Sequence, residues 1–329
     1  MEYSKPTDDL GSLAAAAASF PLLVYDHGEQ PDNSQTVLSV ADGSLRTYHV
    51  PEMRNFRCLE TPQGLVLMVD TSSLQARLWN PQTGEKMPLP AMDEELPPYC
   101  RCLVSDTSSS PPDWASDGVE LPDSLVLVYD LTRPELLICR IRGGTAWVRQ
   151  SYDAGLYEVP GKAPTERAAR CMAAVQGIFY FHKAPGVVGA FCCFADDPEP
   201  CLKLATLDAP DPTIVSDAPQ IVTLSYLLEC SKDLFRVCIF FLGCSFERIE
   251  EVGAYMMDFT KKEWIKVTDI GDRAFLLGPS SFAASCSAAE HGLKKGSVYF
   301  ANDFLGHSNE FHIFDLKEGT REHGNFQVQ

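Results

Sequence analysis

A short strand–turn–strand pattern recurs along the chain, and it limits the possible folds more than any other feature of the sequence. Each copy has an apolar strand, a polar turn and a second strand that is often led by an aromatic residue. Six copies follow one another, with first strands beginning at Val37, Ala76, Leu137, Gly189, Ala254 and Phe311. Such repetition of one supersecondary unit is the signature of a repeat architecture.

The spacing of these copies indicates sheets arranged as a propeller. Their turns, at positions 42, 80, 142, 196, 258 and 315, lie 38, 62, 54, 62 and 57 residues apart. A four-stranded propeller blade needs about 40–50 residues, and insertions lengthen it. A lone antiparallel sheet of this kind cannot bury both faces, whereas radial stacking buries them. The sequence therefore predicts an all-β protein, a β-propeller with six four-stranded blades. The alternatives are a pair of β-sandwiches and a mixed α+β protein.

The chain divides into a short leader and one domain. We predict that residues 1–21 form a disordered or Ala-rich leader and that residues 22–329 form the β-propeller domain. The first blade shows only three strands before Val50, so we expect the tail Asn325–Gln329 to supply the fourth and to close the ring. Closure by a terminal strand removes the exposed edges that an open array would leave.

The charge of the chain is strongly acidic. Lys and Arg total 27 against 45 Asp and Glu, which gives a net charge of −18. Nucleic acids and acidic membranes are bound through clustered Lys and Arg. The composition therefore predicts a protein partner and excludes nucleic acid and membrane as partners.

Cysteine usage favours a reducing compartment. The chain has 12 cysteines, no Cys-x-x-Cys pair and no Asn-x-Ser/Thr sequon. The first apolar run, Leu13–Tyr25, is interrupted by Ser19 and Pro21 and has no basic segment before it, unlike a secretory leader. We expect free thiols, no metal and a cytoplasmic or nuclear location.

Catalytic motifs are missing from the sequence. It has no Gly-x-Ser-x-Gly elbow, no phosphate-binding glycine loop and no His-Glu-x-x-His pairing. We therefore predict a protein that is not an enzyme and has no cofactor. The alternative is a propeller enzyme or small-molecule binder that uses the central channel, which requires several titratable side chains to converge at one mouth. A third interpretation is a degraded paralogue without a selected activity.

Three stretches interrupt the rhythm of the strands, namely Ser105–Asp123, Val159–Arg170 and Ala195–Gln220. The simplest interpretation of each is a solvated loop. The alternative is a partner-binding surface, because loops carry function more often than the scaffold does. Trp114, the aromatic residue of the first stretch, is our candidate for an interaction residue there.

Three tryptophans and one charged pair are further candidates for structural or interaction roles. Trp79, Trp147 and Trp264 lie on strands at blade turns, and we expect them to fill the core between neighbouring sheets. Asp272 and Arg273 are adjacent opposite charges, which indicate an ion pair or a turn brace between the fifth and sixth blades. The alternative, a loop-borne contact with a partner, makes Asp272 and Arg273 candidate interaction residues.

Two parts of the chain resemble the plant F-box-associated KIB-type β-propeller family. Leu78–Pro90 is similar to the "NPxTG…LP" segment of these propellers. The succession Met257–Trp264, Gly271–Gly278 and Gly292–Phe300 resembles the C-terminal signature of the KIB type. The resemblance covers roughly residues 20 to 316. It implies a propeller that holds a substrate behind an F-box, which docks on a Skp-type adaptor of a cullin ubiquitin ligase.

The start of the chain departs from that plan. An F-box needs about 40 residues of helical bundle, and only about 20 Ala-rich residues precede the first strand. We expect a non-enzymatic interaction module that resembles the substrate-recognition propeller of plant F-box proteins, here without an F-box. We also expect that this chain alone does not bind a Skp-type adaptor.

Overall fold

Short antiparallel strands form almost all of the regular structure. The computed structural model describes residues 22–24, 34–39, 44–105, 124–157, 161, 163–193, 200–213, 221–243, 246, 248–278, 281–301, 310–325 and 327–328. The leader 1–21 and Trp114 lie outside the described residues. In the part of the chain that is described, no helix has the length and apolar character needed to cross a membrane.

Three sheets and a two-stranded hairpin come from the first half of the chain. Sheet I begins with β1 (Leu22–Val24), β2 (Ser34–Ser39) and β3 (Ser44–His49), and a short 3-10 helix (Pro51–Met53) follows. Sheet II contains β4 (Phe56–Glu60), β5 (Val66–Asp70), β6 (Ala76–Trp79) and β7 (Lys86–Leu89). Sheet III contains β8 (Cys100–Val104), β9 (Leu125–Asp130), β10 (Glu135–Arg140) and β11 (Val148–Ser151). The hairpin pairs β12 (Leu156–Tyr157) with β13 (Thr165–Glu166).

The second half supplies three further sheets. Sheet IV contains β14 (Met172–Val175), β15 (Ile178–Ala184), β16 (Val187–Cys193) and β17 (Leu202–Asp208). Sheet V contains β18 (Ile221–Cys230), β19 (Asp233–Leu242), β20 (Ile249–Asp258) and β21 (Glu263–Val267). Sheet VI contains β22 (Arg273–Leu277), β23 (Ala283–Ser287), β24 (Ser297–Ala301), β25 (Glu310–Asp315) and β26 (Arg321–Asn325), and β27 (Gln327–Val328) follows it.

The all-β propeller is confirmed, but the prediction of six four-stranded blades is wrong. Within the described residues, five sheets have four strands and sheet VI has five, in the order β23-β22-β24-β25-β26. The additional strand is β22, which pairs antiparallel with β23 and parallel with β24. Its residues Ala274–Leu277 are apolar and buried, and a buried apolar segment must pair its backbone groups. It therefore forms a strand inside the sheet.

Each copy of the recurring pattern forms an antiparallel hairpin. The hairpin joins the last two strands of the sheet in sheets II–VI, and it joins β2 to β3 in sheet I.

The turns of three copies are held by the same kind of hydrogen bond. The Asn80 Oδ1 accepts hydrogen bonds from the backbone N–H groups of Gln82 (2.9 Å) and Thr83 (3.3 Å). Asp258 and Asp315 bind the N–H groups two and three residues ahead in the same way. These side chains fix the turn and so space the strands.

The first and last parts of the chain meet in sheet I. Strand β27 pairs parallel with β3, with Gln327 opposite Ser44 and Val328 opposite Leu45. The sheet thus has the order β1-β2-β3-β27 and receives its fourth strand from the C-terminal tail. The pairing places the tail where the sequence analysis expected a closing strand.

The hydrophobic core lies between neighbouring sheets. The inner strands contact one another in succession, β4 with β8, β8 with β14, β14 with β18, and β18 with β23. Large aromatic residues such as Phe179, Phe191 and Phe240 are fully buried between them. The core role expected for Trp79 and Trp147 is confirmed by their burial, whereas Trp264 is only half-buried.

The thiols are free and mostly buried. The 11 cysteines of the described residues form no disulfide, and eight of them are buried. Burial raises the pKa of Cys58 to about 12 and that of Cys100 to about 11. These side chains therefore stay protonated at neutral pH and pack as small apolar groups.

Candidate functional site

Three exposed hydrophobic side chains lie in the segments before β8 and after β11 of sheet III. Tyr99, Leu156 and Tyr157 are exposed to 66%, 52% and 57%, and no other large hydrophobic residue among the described ones is classed as exposed. Because β8 to β11 form a four-stranded antiparallel meander, the start of β8 and the end of β11 lie at the same end of the sheet. We call the surface formed by Tyr99, Leu156 and Tyr157 the tyrosine face.

Two backbone hydrogen bonds attach Tyr99 and the segment that leads to Leu156 and Tyr157 to one turn. The Leu131 N–H donates to the Tyr99 carbonyl at 2.9 Å, and the Tyr152 N–H donates to the Pro134 carbonyl at 3.1 Å. Residues 131–134 connect β9 to β10. Tyr99 and Tyr152, which leads into the β12–β13 hairpin, therefore contact the two ends of this turn.

The base of the hairpin is fixed by Tyr152. Its ring packs edge-on against Phe181 and Phe191, with centroids 5.9 and 4.9 Å away. The Tyr152 hydroxyl accepts a hydrogen bond from the Ala169 N–H at 2.7 Å, which ties the two ends of the insertion together. Burial raises the pKa of Tyr152 to about 12, so the phenol remains neutral. The hairpin is thus held against sheet IV by a core residue.

Arg167 holds the two exposed residues of the hairpin in place. Its Nε donates to the Leu156 carbonyl at 2.8 Å, and its Nη1 donates to the Lys183 carbonyl on β15 at 3.3 Å. The guanidinium carbon also lies 5.8 Å from the centroid of the Tyr157 ring, within the range of a cation–π contact. The tyrosine face is therefore organised before any partner arrives, which lowers the entropy cost of binding.

A cavity of about 170 Å³ lies where inner strands of several sheets converge. Its lining includes Gln63 of sheet II, Ala173 and Ala174 of sheet IV, Glu229 of sheet V, and Ala283 and Ser285 of sheet VI. The Gln63 Nε2 donates to the Val104 carbonyl at 3.1 Å, and the Glu229 Oε1 accepts the Lys232 N–H at 2.6 Å. Glu229 is the ionisable residue in this lining, so the described residues bring no acid–base pair to it.

A charged cluster lies between sheets IV and V. Arg236 of β19 is 5% exposed and donates from Nη1 to the Asp211 Oδ1 at 2.6 Å. Its Nη2 donates to the Ser225 Oγ at 3.0 Å, and its guanidinium lies 5.7 Å from the Trp264 ring centroid. The His182 Nε2 lies 3.6 Å from the same Asp211 oxygen.

The environment of this cluster shifts the pKa values of its members. Burial lowers the pKa of His182, the positive charge of Arg236 lowers it further, and Asp211 offsets part of this effect. Burial acts to raise the pKa of Asp211, but the hydrogen bond and charge of Arg236 outweigh it, so that pKa is lowered. At neutral pH the cluster holds a carboxylate, a guanidinium and a neutral imidazole.

Asp272 and Arg273 bind serines of their own sheet. The Arg273 Nη2 donates to the Ser285 Oγ at 2.7 Å, and the Asp272 Oδ2 accepts the Ser287 hydroxyl at 3.0 Å. Both serines belong to β23, and Ser285 also lines the cavity described above. The pair thus braces β22 against β23. Their role in binding a partner stays a prediction, as does that of Trp114, which the structure does not describe.

Sequence reasoning missed the tyrosine face and the Arg236 cluster. Leu156 and Tyr157 lie one residue before the stretch Val159–Arg170, which the sequence analysis identified as an interruption of the strand rhythm. The sequence signal for this surface was a pair of adjacent apolar residues that lies between Gly155 and a Pro-Gly turn and outside every repeat. No sequence spacing could show that Asp211 meets Arg236. Among the described residues, no group of three or more His, Cys, Asp or Glu side chains is placed to hold a metal ion.

Comparison with solved structures found chains of similar backbone at low sequence identity. A chain of a nidogen/laminin complex shows 9% identity and a TM-score of 0.31, with 70% of this chain and 73% of that chain covered. Streptogramin B lyase shows 8% identity and a TM-score of 0.31, with 85% and 72% covered. The Cps50 (Swd1) β-propeller domain of Myceliophteria thermophila shows 9% identity and a TM-score of 0.30, with 94% and 97% covered.

Comparison with curated proteins found no match. A family model, in contrast, matches most of the chain. The model of the KIB1-4 β-propeller matches residues 37–318, which include sheets II–V, the tyrosine face and both parts of the resemblance noted in the sequence. The resemblance to a KIB-type propeller is thereby confirmed, and the chain belongs to the KIB1-4 β-propeller family.

Proposed function

We propose that this protein is a non-enzymatic interaction module that binds a protein partner through the tyrosine face. The observation that carries the proposal is that Tyr99, Leu156 and Tyr157 are all more than half exposed and lie in the segments before β8 and after β11, at the same end of sheet III. Scattered exposed apolar residues are normal, whereas a group of them marks an interaction site. Tyrosine and arginine are also the side chains that dominate binding energy at protein interfaces.

The rigidity of this surface supports the same function. Tyr152 fixes the base of the hairpin in the core, and Arg167 binds the backbone on both sides of it. A surface that is ordered in the free protein loses little conformational entropy on binding. We propose in addition that the module recognises substrates for ubiquitination, which is what the resemblance to plant F-box-associated propellers implies.

Proximity labelling in the native cell, followed by binding assays with the purified full chain, tests the proposal. We expect the joint change Leu156→Ser and Tyr157→Ser to weaken the recovered partner by about tenfold or more, since losing buried anchors costs over about 1.4 kcal/mol. The joint change Glu85→Ser and Lys86→Ser, at exposed positions of the β6–β7 turn, is the matched control. Equal binding by both double variants would overturn the assignment of this surface.

The other candidate interaction residues are tested in the same binding assay with separate variants. If Trp114→Ala, or Asp272→Ala with Arg273→Ala, abolishes binding while the hairpin variant does not, the partner binds those residues and not the tyrosine face. A pull-down with a purified Skp-type adaptor tests coupling to a ligase, and we expect no binding by this chain alone.

The cavity beside Glu229 favours a second candidate function, binding of a small molecule. Its volume of about 170 Å³ is below the range of about 300–1,000 Å³ typical of drug-sized ligands. It therefore fits only a small group. A thermal-shift screen of small amines and sugars against the wild type and Glu229→Gln separates the two functions. A ligand that binds in this cavity must raise the melting temperature of the wild type more than that of Glu229→Gln.

A further inference from the structure

The chain has a long segment without carboxylates next to the tyrosine face. No Asp or Glu occurs between Glu166 and Asp196, although the whole protein carries a net charge of −18. Three cations, Arg167, Arg170 and Lys183, lie in this segment. In a chain with 45 acidic residues, such a segment is a local reversal of charge.

These cations have no carboxylate partner in the part of the chain that the structure describes. Among the described residues, no carboxylate forms an ion pair with Arg167, Arg170 or Lys183. The hydrogen bonds of Arg167 go to backbone carbonyls, which leave its charge uncompensated, and Arg170 is exposed. Other arginines near sheet III differ in this respect. Arg133 pairs with Asp130 and Glu135, and Arg149 pairs with Glu94 and Glu135.

Of the three carboxylates in residues 152–166, Glu158 lies outside the described residues, and the other two form no ion pair with these cations in the described part of the chain. The Asp153 Oδ1 accepts the Gly155 N–H at 2.7 Å and so fixes the turn that leads into β12. Glu166 lies opposite Leu156 in the hairpin register and is exposed. Residues 152–183 contain four Lys or Arg and three Asp or Glu, a net charge of +1 against −18 for the whole chain.

The apolar anchors thus contact one cation directly, and the other two lie in the same segment of the chain. Leu156 and Tyr157 are attached to Arg167 through a hydrogen bond and a ring contact, and Arg167 joins them to Lys183 on β15. A ligand that meets both features needs an apolar side chain for the exposed pair and carboxylates for the cations. The acidic remainder of the protein attracts basic segments elsewhere and repels acidic ones, so complementary charge at this place decides which partner docks.

We propose that the tyrosine face binds an acidic peptide segment of a partner protein, with an apolar anchor residue flanked by Asp or Glu. The anchor packs on Leu156 and Tyr157, and the flanking carboxylates pair with Arg167, Arg170 and Lys183. This inference rests on the proposed function and specifies the chemistry of its partner.

A random 12-residue peptide library displayed on phage, selected on the immobilised full chain, is the probe. The library is first depleted on the variant that carries Leu156→Ser and Tyr157→Ser. We expect the enriched peptides to carry net negative charge and at least one large apolar residue. A synthetic enriched peptide is then measured by fluorescence polarisation against four proteins, the wild type, Arg170→Glu, Arg170→Lys and Lys317→Glu.

We expect Arg170→Glu to weaken the peptide by about tenfold or more, because it replaces an attraction by a repulsion. Arg170→Lys keeps the charge and Lys317→Glu changes an exposed lysine in the β25–β26 turn, so both should bind like the wild type. Binding should also fall as ionic strength rises from about 0.05 to about 0.5 M.

Two results would overturn the inference. One is a set of enriched peptides that are neutral or basic, and the other is equal loss of binding for Arg170→Glu and Lys317→Glu. A failure to enrich any peptide overturns it as well. In each case the assay with the native partner decides separately whether the tyrosine face binds a folded protein, so the proposed function can stand when this inference fails.

Discussion

The Arg236 Nη1 donates to the Asp211 Oδ1 at 2.6 Å and thereby ties β19 of sheet V to the segment that leaves sheet IV. Arg236 is 5% exposed, so its charge depends on Asp211 and Ser225 for compensation. Neighbouring blades of a propeller share no backbone ladder, and contacts of this kind fix their relative position. The pair is thus a brace between two sheets.

We expect Asp211→Asn to lower the free energy of unfolding by about 3 kcal/mol, because it leaves a buried guanidinium without its counter-charge. Urea denaturation followed by tryptophan fluorescence measures the change. The control is Asp208→Asn, at an exposed residue at the end of β17, which should stay within about 0.5 kcal/mol of the wild type. Equal stability of the two variants would show that Asp211 does not brace the sheets.

His182 should make the stability depend on pH. Its pKa in the folded protein is lowered, first by burial and then by the charge of Arg236, so the unfolded chain binds a proton more readily. The stabilisation is therefore complete above about pH 6.5, the ordinary pKa of histidine, and is lost as the pH falls through the pKa of the folded state. Thermal melts at about pH 7 and about pH 5.5 measure the difference.

In the variant His182→Gln, the side chain at position 182 does not titrate. We expect its melting temperature to change less than that of the wild type between the two pH values. Asp211 also has a lowered pKa, but its stabilisation is lost only as the pH falls below about 3.8, the ordinary pKa of an aspartate. An identical pH dependence in both proteins would assign the effect to other groups.

Tyr152→Phe tests whether one hydroxyl holds the base of the hairpin. The change keeps the ring between Phe181 and Phe191 but leaves the Ala169 N–H without its acceptor. We expect a loss of about 1–3 kcal/mol, the cost of an unsatisfied buried donor. Hydrogen exchange should speed up at Ala169 and within the hairpin. Protection that is unchanged there would mean that the ring packing alone fixes the insertion.

The repeated turn offers a matched pair of substitutions with opposite signs. Gly84 and Lys262 occupy the same position in two copies of the turn, with φ angles of 75° and 58°. No atom lies within 4 Å of a Cβ added at Gly84, so Gly84→Ala suffers from the backbone angle alone. We expect it to destabilise the protein by about 1 kcal/mol. Lys262→Gly should stabilise it by a similar amount, because it removes the same strain.

Urea denaturation of both variants measures the two effects. A destabilising Lys262→Gly would indicate that the contacts of the Lys262 side chain, and not the backbone angle, determine the energy of that turn.

The repeated turns explain why the propeller could be predicted from sequence. Asn80, Asp258 and Asp315 each bind the backbone two and three residues ahead, and these contacts need no other part of the chain. Turn residues and apolar strands are therefore visible locally, and the hairpin repeat follows from them. The position of β22 between β23 and β24 could not be predicted in the same way. It depends on backbone pairing with strands that follow β22 across residues 278–297.

The candidate site was predicted less well, for a related reason. Leu156 and Tyr157 are exposed because of the position of the hairpin against sheet IV. Contacts of Tyr152, Phe181 and Arg167 fix that position. The contact between Asp211 and Arg236 joins residues 25 positions apart. Asp272 and Arg273 were expected to form an ion pair or a turn brace between the fifth and sixth blades, whereas they bind serines of β23 within sheet VI.

The buried thiols give this protein a set of native reporters on its own unfolding. Cys58 lies in sheet II, Cys102 and Cys139 in sheet III, Cys193 in sheet IV, and Cys230 and Cys238 in sheet V, and all are buried. An alkylating reagent can reach each of them only when its sheet opens. Mass spectrometry of the alkylated peptides would therefore show the order in which the blades come apart, without any engineered label.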